Sequence, residues 1–153
     1  MLKNKYFEYL DNIPDLPPEF VDQIINHENT NRSWFYDERY KFYRVSDELK
    51  TWVYDNIPNV SKVGIQEMTG NILPHKDTGR KTALNYLITT GGGELCHYSY
   101  IGIYSGGFVS PDKVKCISRV KVEPRKWHKL NTDILHGVEN VTSNRLALTI
   151  NVV

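Results

Sequence analysis

The sequence predicts a mainly β protein with N-terminal helices, folded as a double-stranded β-helix, or jelly roll. Two observations carry this. From Val60 onward the chain breaks into short runs rich in Val, Ile, Thr and Tyr, separated by Gly, Asn and Asp clusters. Before residue 60 the apolar residues instead recur at helical spacing. Many short strands after two helices point to a jelly roll with the helices packed on one sheet. A length of 153 residues with 40% hydrophobic content fits one domain with a single core, without repeats. The expected division is a helical region over 1–59 resting on a barrel over 60–153.

Pro14, Pro17 and Pro18 interrupt the start of the chain, after which Phe20, Ile24 and His27 fall on one helical face. His27 lies near the end of that helix, where a cation interacts well with the dipole, so its expected role is structural. Ser46 reads as the N-cap of a second helix that places Leu49, Trp52 and Val53 together. Pro58 ends it. Strands are predicted near 62–68, 72–77, 82–89, 94–98, 101–105, 114–121, 127–131, 134–139 and 145–152.

A formal net charge of +1 argues against a globally basic nucleic-acid binder. No apolar run approaches a membrane span, and the first residues lack the apolar stretch of a signal peptide, so no membrane partner is expected and the expected location is cytoplasmic. Cys96 and Cys116 are the only cysteines and lack zinc-finger spacing; two reduced thiols are expected.

Chemistry concentrates in four residues. His75 and Asp77 stand at i and i+2, so in an extended strand both side chains point the same way and can reach one metal ion. His136 can arrive from another strand. Two imidazoles and a carboxylate on one face of an octahedral ion leave open positions, an arrangement suited to iron(II) and unlike a closed tetrahedral zinc site. Arg145 follows His136 after a turn built from Asn140, Ser143 and Asn144, which predicts a hairpin with both residues on neighbouring antiparallel strands. A Gly91-Gly92-Gly93 turn leads into a strand beginning at Glu94.

Residues 73–88, from Leu-Pro-His-Lys-Asp to Asn-Tyr-Leu-Ile, resemble the iron(II)- and 2-oxoglutarate-dependent dioxygenases, as do Gly-Gly-Gly-Glu at 91–94 and Asp-Ile-Leu-His-Gly-Val to Ile-Asn-Val at 133–152. The likeness covers roughly residues 60 to 153. Within the superfamily it is nearest the aspartyl/asparaginyl and prolyl hydroxylase-like branches, including small versions carried by bacteriophages, which would place the protein in a host cytoplasm. The resemblance implies iron(II) held by His75, Asp77 and His136, with 2-oxoglutarate and O2 as co-substrates. It also implies that Arg145 pairs with the distal carboxylate of 2-oxoglutarate. Many relatives carry Ser or Thr two residues after that arginine, whereas this chain has Ala147. Thr149, Asn85 and Tyr86 are the candidates to supply the missing hydrogen bond, with Asn85 favoured. Arg80, three residues past Asp77, could guide an anionic substrate or the co-substrate.

The expected activity is hydroxylation of a C–H bond, on a small molecule or peptide, with an amino-acid side chain favoured as target. Two alternatives remain: a non-catalytic, metal-binding cupin-like protein, and a nucleic-acid-demethylating oxygenase. The second would need base contacts from the aromatic and cationic stretch 32–44, which is otherwise the candidate for one wall of the substrate entrance. His97 is expected to point outward or to line that entrance. His128 competes weakly with His136 as the distal ligand, because no arginine follows it at comparable spacing.

Overall fold

The computed structural model describes residues 6–27, 32–37 as backbone, and 39–153. The part of the 32–44 stretch before Arg39 therefore lies outside the described side chains. In chain order the elements are β1 (Phe7–Tyr9), α1 (Pro18–Ile25), β2 (Arg32–Asp37), β3 (Tyr40–Tyr43), α2 (Asp47–Asn56), β4 (Val60–Met68), β5 (Ile72–His75), β6 (Thr82–Thr89), β7 (Glu94–Tyr100), β8 (Val114–Val120), β9 (Trp127–Asn131), β10 (His136–Glu139) and β11 (Arg145–Val152).

These strands form two antiparallel sheets, a large one ordered β1-β9-β6-β11-β4-β3-β2 and a small one ordered β5-β10-β7-β8. From β4 onward the chain crosses between sheets at nearly every connection, which produces a cupin-like jelly-roll sandwich. The first sixty residues are not purely helical. β1 pairs with β9 at one edge of the large sheet, and β3 pairs with β4 at the other.

Period-two alternation sorts the faces of the large sheet. Leu84, Tyr86 and Ile88 on β6, with Leu146, Leu148 and Ile150 on β11, pack outward against Phe20, Ile24, Leu49 and Val53 of the two helices. Their neighbours Ala83, Leu87 and Ala147 face the interior with Leu95 and Leu130. Burying each large aliphatic side chain contributes about 1.5–3 kcal/mol. Truncating the fully buried Leu148 to Ala should therefore cost about 2–5 kcal/mol.

Ser46 caps α2 as its residue type suggests, its Oγ accepting from Leu49 N at 3.1 Å. The same hydroxyl donates to Gln23 Oε1 and so ties α2 to α1. His27 is buried, with Nδ1 3.0 Å from Ile24 O and Nε2 2.8 Å from Glu67 Oε2, a structural role as expected.

Two expectations fail. Residues 101–105 form a loop rather than a strand, because Gly102 and the following Gly106 and Gly107 all adopt positive φ, and Ile101 and Ile103 project into solvent. β10 and β11 are also not a hairpin: β10 pairs with β5 and β7, whereas β11 pairs with β4 and β6. The turn between them carries the chain from one sheet to the other, as jelly-roll winding requires.

Candidate metal centre

His75 ends β5 and is the direct cross-strand partner of His136 on β10, so both imidazoles leave the small sheet on its interior face. Their ring centroids are 4.5 Å apart. Asp77 lies two residues beyond His75, just past the strand end, where its N–H donates to Thr132 O at 3.0 Å. Its Oδ1 sits 3.3 Å from His75 Nε2 and 3.1 Å from His136 Nε2. The donor atoms of the three residues all lie within 4.8 Å of one another, the one such His, Cys, Asp or Glu group among the described residues.

The tautomers are set by the backbone. His75 Nδ1 is 2.8 Å from Leu73 O and His136 Nδ1 is 2.9 Å from Ile134 O. A carbonyl can only accept, so each Nδ1 donates to the backbone and each Nε2 is turned toward Asp77 Oδ1, where a bound metal ion would take the place of its proton. For Asp77, burial pushes the carboxyl pKa up as the largest single influence. Hydrogen bonds from His136 and His75, with the charge of Arg80, outweigh it and hold the group far below the usual carboxylate range. The result is one carboxylate oxygen and two imidazole nitrogens converging on a point, a set that could hold a divalent metal ion.

Arg80 is occupied at this cluster. Its Nε donates to Asp77 Oδ2 at 2.5 Å, and one terminal nitrogen donates to Asn151 Oδ1 at 2.6 Å and Thr149 Oγ1 at 3.3 Å. Thr132, fully buried, donates its hydroxyl to Arg80 O, which fixes the loop joining β5 to β6. Arg80 thus holds a candidate ligand in place, and it also lines the inner cavity beside the cluster.

An inner cavity runs from His75 and His136 past Asn85 and His128 to Arg145. Arg145 is buried, and its guanidinium donates to Thr90 O at 3.0 Å and Gly93 O at 3.2 Å. The glycine turn makes this approach feasible: a Cβ on Gly93 would stand 2.9 Å from Val138 Cγ1 and 3.2 Å from the Arg145 nitrogen. Burial pushes the guanidinium pKa down to about 10, so it stays charged at neutral pH. No carboxylate among the described residues forms an ion pair with it.

Asn85 presents Oδ1 into the interior without a hydrogen-bond partner. Across the large sheet it pairs with Thr149 on one side and His128 on the other, so the three side chains form one row. Tyr86, the next residue, faces the opposite way. Its ring packs 4.9 Å from Trp127 in the core beneath the helices, which removes it from the cavity. Ala147 is interior too, between Gln66 and Leu87.

His97 and His128 both lie inside the barrel. His97, the cross-strand partner of His136, is 1% exposed and bonds Asn131 O through Nε2 at 3.0 Å, so it neither points outward nor lines an entrance. Burial pushes its pKa down to about 4, helped by His136 and opposed by the Asn131 carbonyl. His128 is also pushed down to about 4, by burial first and by the charge of Arg145, against the Lys126 carbonyl. It stands away from the three-residue cluster, beside the inner cavity.

A second cavity, about 450 Å3, opens to the surface on the other side of His75 and Asp77. Phe42, Arg44, Lys62, Gly64 and Asn151 line it.

No helix among the described residues is long and apolar enough to cross a membrane. No family model and no curated protein matches the sequence. Among solved structures, the fold is similar to that of HygX from Streptomyces hygroscopicus, determined with nickel, 2-oxoglutarate and hygromycin B bound, with a TM-score of 0.57 and 13% identity over 95% of this chain and 82% of that one. It is similar to Escherichia coli YcfD, with a TM-score of 0.56 and 12% identity over 97% of this chain, which spans 50% of YcfD. Another structure of that protein, described as the ribosomal oxygenase YcfD, gives a TM-score of 0.50 and 12% identity over 74% of this chain and 31% of that one. At such identities the likeness concerns the fold: the chain shares the jelly-roll sandwich of these proteins.

Proposed function

We propose that the protein is an iron(II)- and 2-oxoglutarate-dependent oxygenase that hydroxylates a C–H bond. The observation that carries this reading is the pairing of a His75, Asp77, His136 cluster with a buried arginine that has no acidic partner among the described residues, both lining one cavity. A buried guanidinium without a counter-ion is costly, and an anionic ligand would compensate it. Asn85 Oδ1 is a further unsatisfied polar atom on the path between them. The similarity to HygX, solved with nickel and 2-oxoglutarate, and to an oxygenase, YcfD, supports the choice of chemistry.

In this reading His75, Asp77 and His136 hold the metal through Nε2, Oδ1 and Nε2. Arg145 binds the distal carboxylate of 2-oxoglutarate, with the carbonyls of Thr90 and Gly93 orienting the guanidinium. A half-turn of the Asn85 carboxamide presents its NH2 to a carboxylate nearer the metal. His128, neutral at physiological pH, adds no charge that would compete for the dicarboxylate. When bound, iron(II) supplies dioxygen activation: one oxygen atom goes to the substrate carbon as hydroxyl, and the other to succinate as 2-oxoglutarate loses carbon dioxide. The walls of the inner cavity exclude water from that exchange.

The class of target remains an amino-acid side chain, free or in a peptide. The test is anaerobic loading with iron(II) and 2-oxoglutarate followed by oxygen, with succinate quantified against a His136→Ala control. Succinate formed by the wild-type chain alone supports the enzyme. Metal binding with no 2-oxoglutarate turnover, across a peptide and amino-acid panel, would leave the non-catalytic cupin-like reading in its place.

A further inference from the structure

Gly64 lies in the middle of β4, paired with Thr149 on β11. Nothing in the backbone demands glycine there, since its φ is not in the left-handed region. Packing among the described residues does not demand it either, for a Cβ would meet only Tyr43 O there, at an ordinary 3.5 Å. A strand glycine weakens the strand, and one that neither turn geometry nor packing explains marks a surface to which something else must come close. Gly64 forms part of the wall of the 450 Å3 cavity that reaches His75 and Asp77.

The neighbours of that bare stretch of backbone are ordered along the interior face of the large sheet. Lys62 and Asn151, which are register partners, lie toward one end; Gly64 and Thr149 come next; Gln66 and Ala147 lie deeper. On β3, Tyr40 and Phe42 alternate onto the cavity, and Arg44 follows at the exposed end. Asp77 is the one carboxylate lining the cavity among the described residues, and it is already bonded to Arg80. Among the described residues, Arg44 brings positive charge to the rim, and the wall beneath it is aromatic.

We infer that the substrate carries a carboxylate, held at the rim by Arg44, with an apolar or aromatic body lying on Gly64 against Phe42 and extending toward His75. This rests on the oxygenase reading for what happens at the metal. Recognition of the carboxylate is independent of it. The geometry fits a free amino acid derivative or a peptide C-terminus equally, and both present the same group.

The test uses saturation-transfer NMR on the full chain, with and without manganese(II), and matched acid and amide probes: hippurate with hippuramide, and N-acetyl-leucine with its amide. The acids should bind, and the amides about fivefold more weakly, the range expected for a rim charge pair. Arg44→Ala should remove that preference by weakening the acids alone. Gly64→Val should abolish binding of acids and amides while leaving manganese affinity intact, with Gly64→Ala as a milder variant should the valine disturb folding by circular dichroism. Equal binding of acids and amides, no acid binding, or an unaltered Gly64→Val would each overturn the inference. Acids that bind normally yet are not broadened by manganese would preserve it and remove the metal reading instead.

Discussion

Arg80 and Asp77 form a closed pair in which one carboxylate oxygen is reserved: Nε takes Oδ2, and Oδ1 is left facing the Nε2 atoms of both His75 and His136. A carboxylate held in this way can offer one oxygen to a metal without swinging to offer two. Arg80→Ala should therefore lower divalent-metal affinity by about tenfold, and Arg80→Lys should recover only part of it, because an ammonium lacks the fork that reaches Asp77, Asn151 and Thr149 together. Cobalt(II) titration followed by its visible spectrum reads both affinity and coordination geometry. Unchanged affinity and spectrum in Arg80→Ala would dismiss the positioning role.

Single replacement of His75, Asp77 or His136 by Ala should remove most metal binding, since each supplies one of three donors. His128→Ala should retain it. Calorimetric titration of the four variants settles the ligand set, and retention by His136→Ala with loss in His128→Ala would reverse the assignment.

Arg145→Ala should cost about 2–5 kcal/mol in 2-oxoglutarate binding, the scale for losing one member of a buried charge pair. Metal affinity should change far less, because Arg145 stands on the other sheet from His75 and His136. In the same binding assay Asn85→Ala should weaken 2-oxoglutarate, and Tyr86→Phe should not, since Tyr86 belongs to the helix-facing core.

Stability should fall on mild acidification. Burial pushes His97 and His128 in the folded chain down to about 4, against about 6.5 for an unperturbed imidazole. Below 6.5 the unfolded chain binds protons that the folded chain refuses. Their contribution is thus complete above about pH 6.5 and is lost as pH drops toward 4, by up to about 3 kcal/mol per histidine. Urea unfolding at intervals across that window should show the slope, and His128→Gln should flatten it. An equal dependence in His128→Gln would place the protons elsewhere.

The His75 and Asp77 spacing makes the three-residue cluster legible, although the strand predicted over 72–77 ends at His75, and Asp77 is held there by Thr132 O and Arg80 rather than by strand alternation. Arg145 and His136 line one inner cavity from opposite sheets rather than from the predicted hairpin, because local spacing cannot say whether a turn joins neighbours in one sheet or crosses to the other. Asn85 and Tyr86 were both admitted as candidates because the inward face of β6 depends on the helices, whose docking side is a tertiary property. His128 carried a usable signal. Its neighbour Trp127 is a large apolar residue suited to the helix-covered core, which sends His128 to the opposite, interior face. The strand predicted over 101–105 fails although Ile101, Ile103 and Tyr104 have strand-forming side chains, because Gly102 among them and Gly106 and Gly107 just after adopt positive φ.

The division of labour between the sheets has a mechanical consequence. The two histidines belong to the small sheet and Arg145 to the large one, so a molecule coordinated at one end and ion-paired at the other would act as a cross-brace spanning the sandwich. Metal alone, or dicarboxylate alone, would touch one half of that span. Together they would resist any sliding or parting of the layers, and their combined effect on melting temperature should exceed the sum of the separate effects.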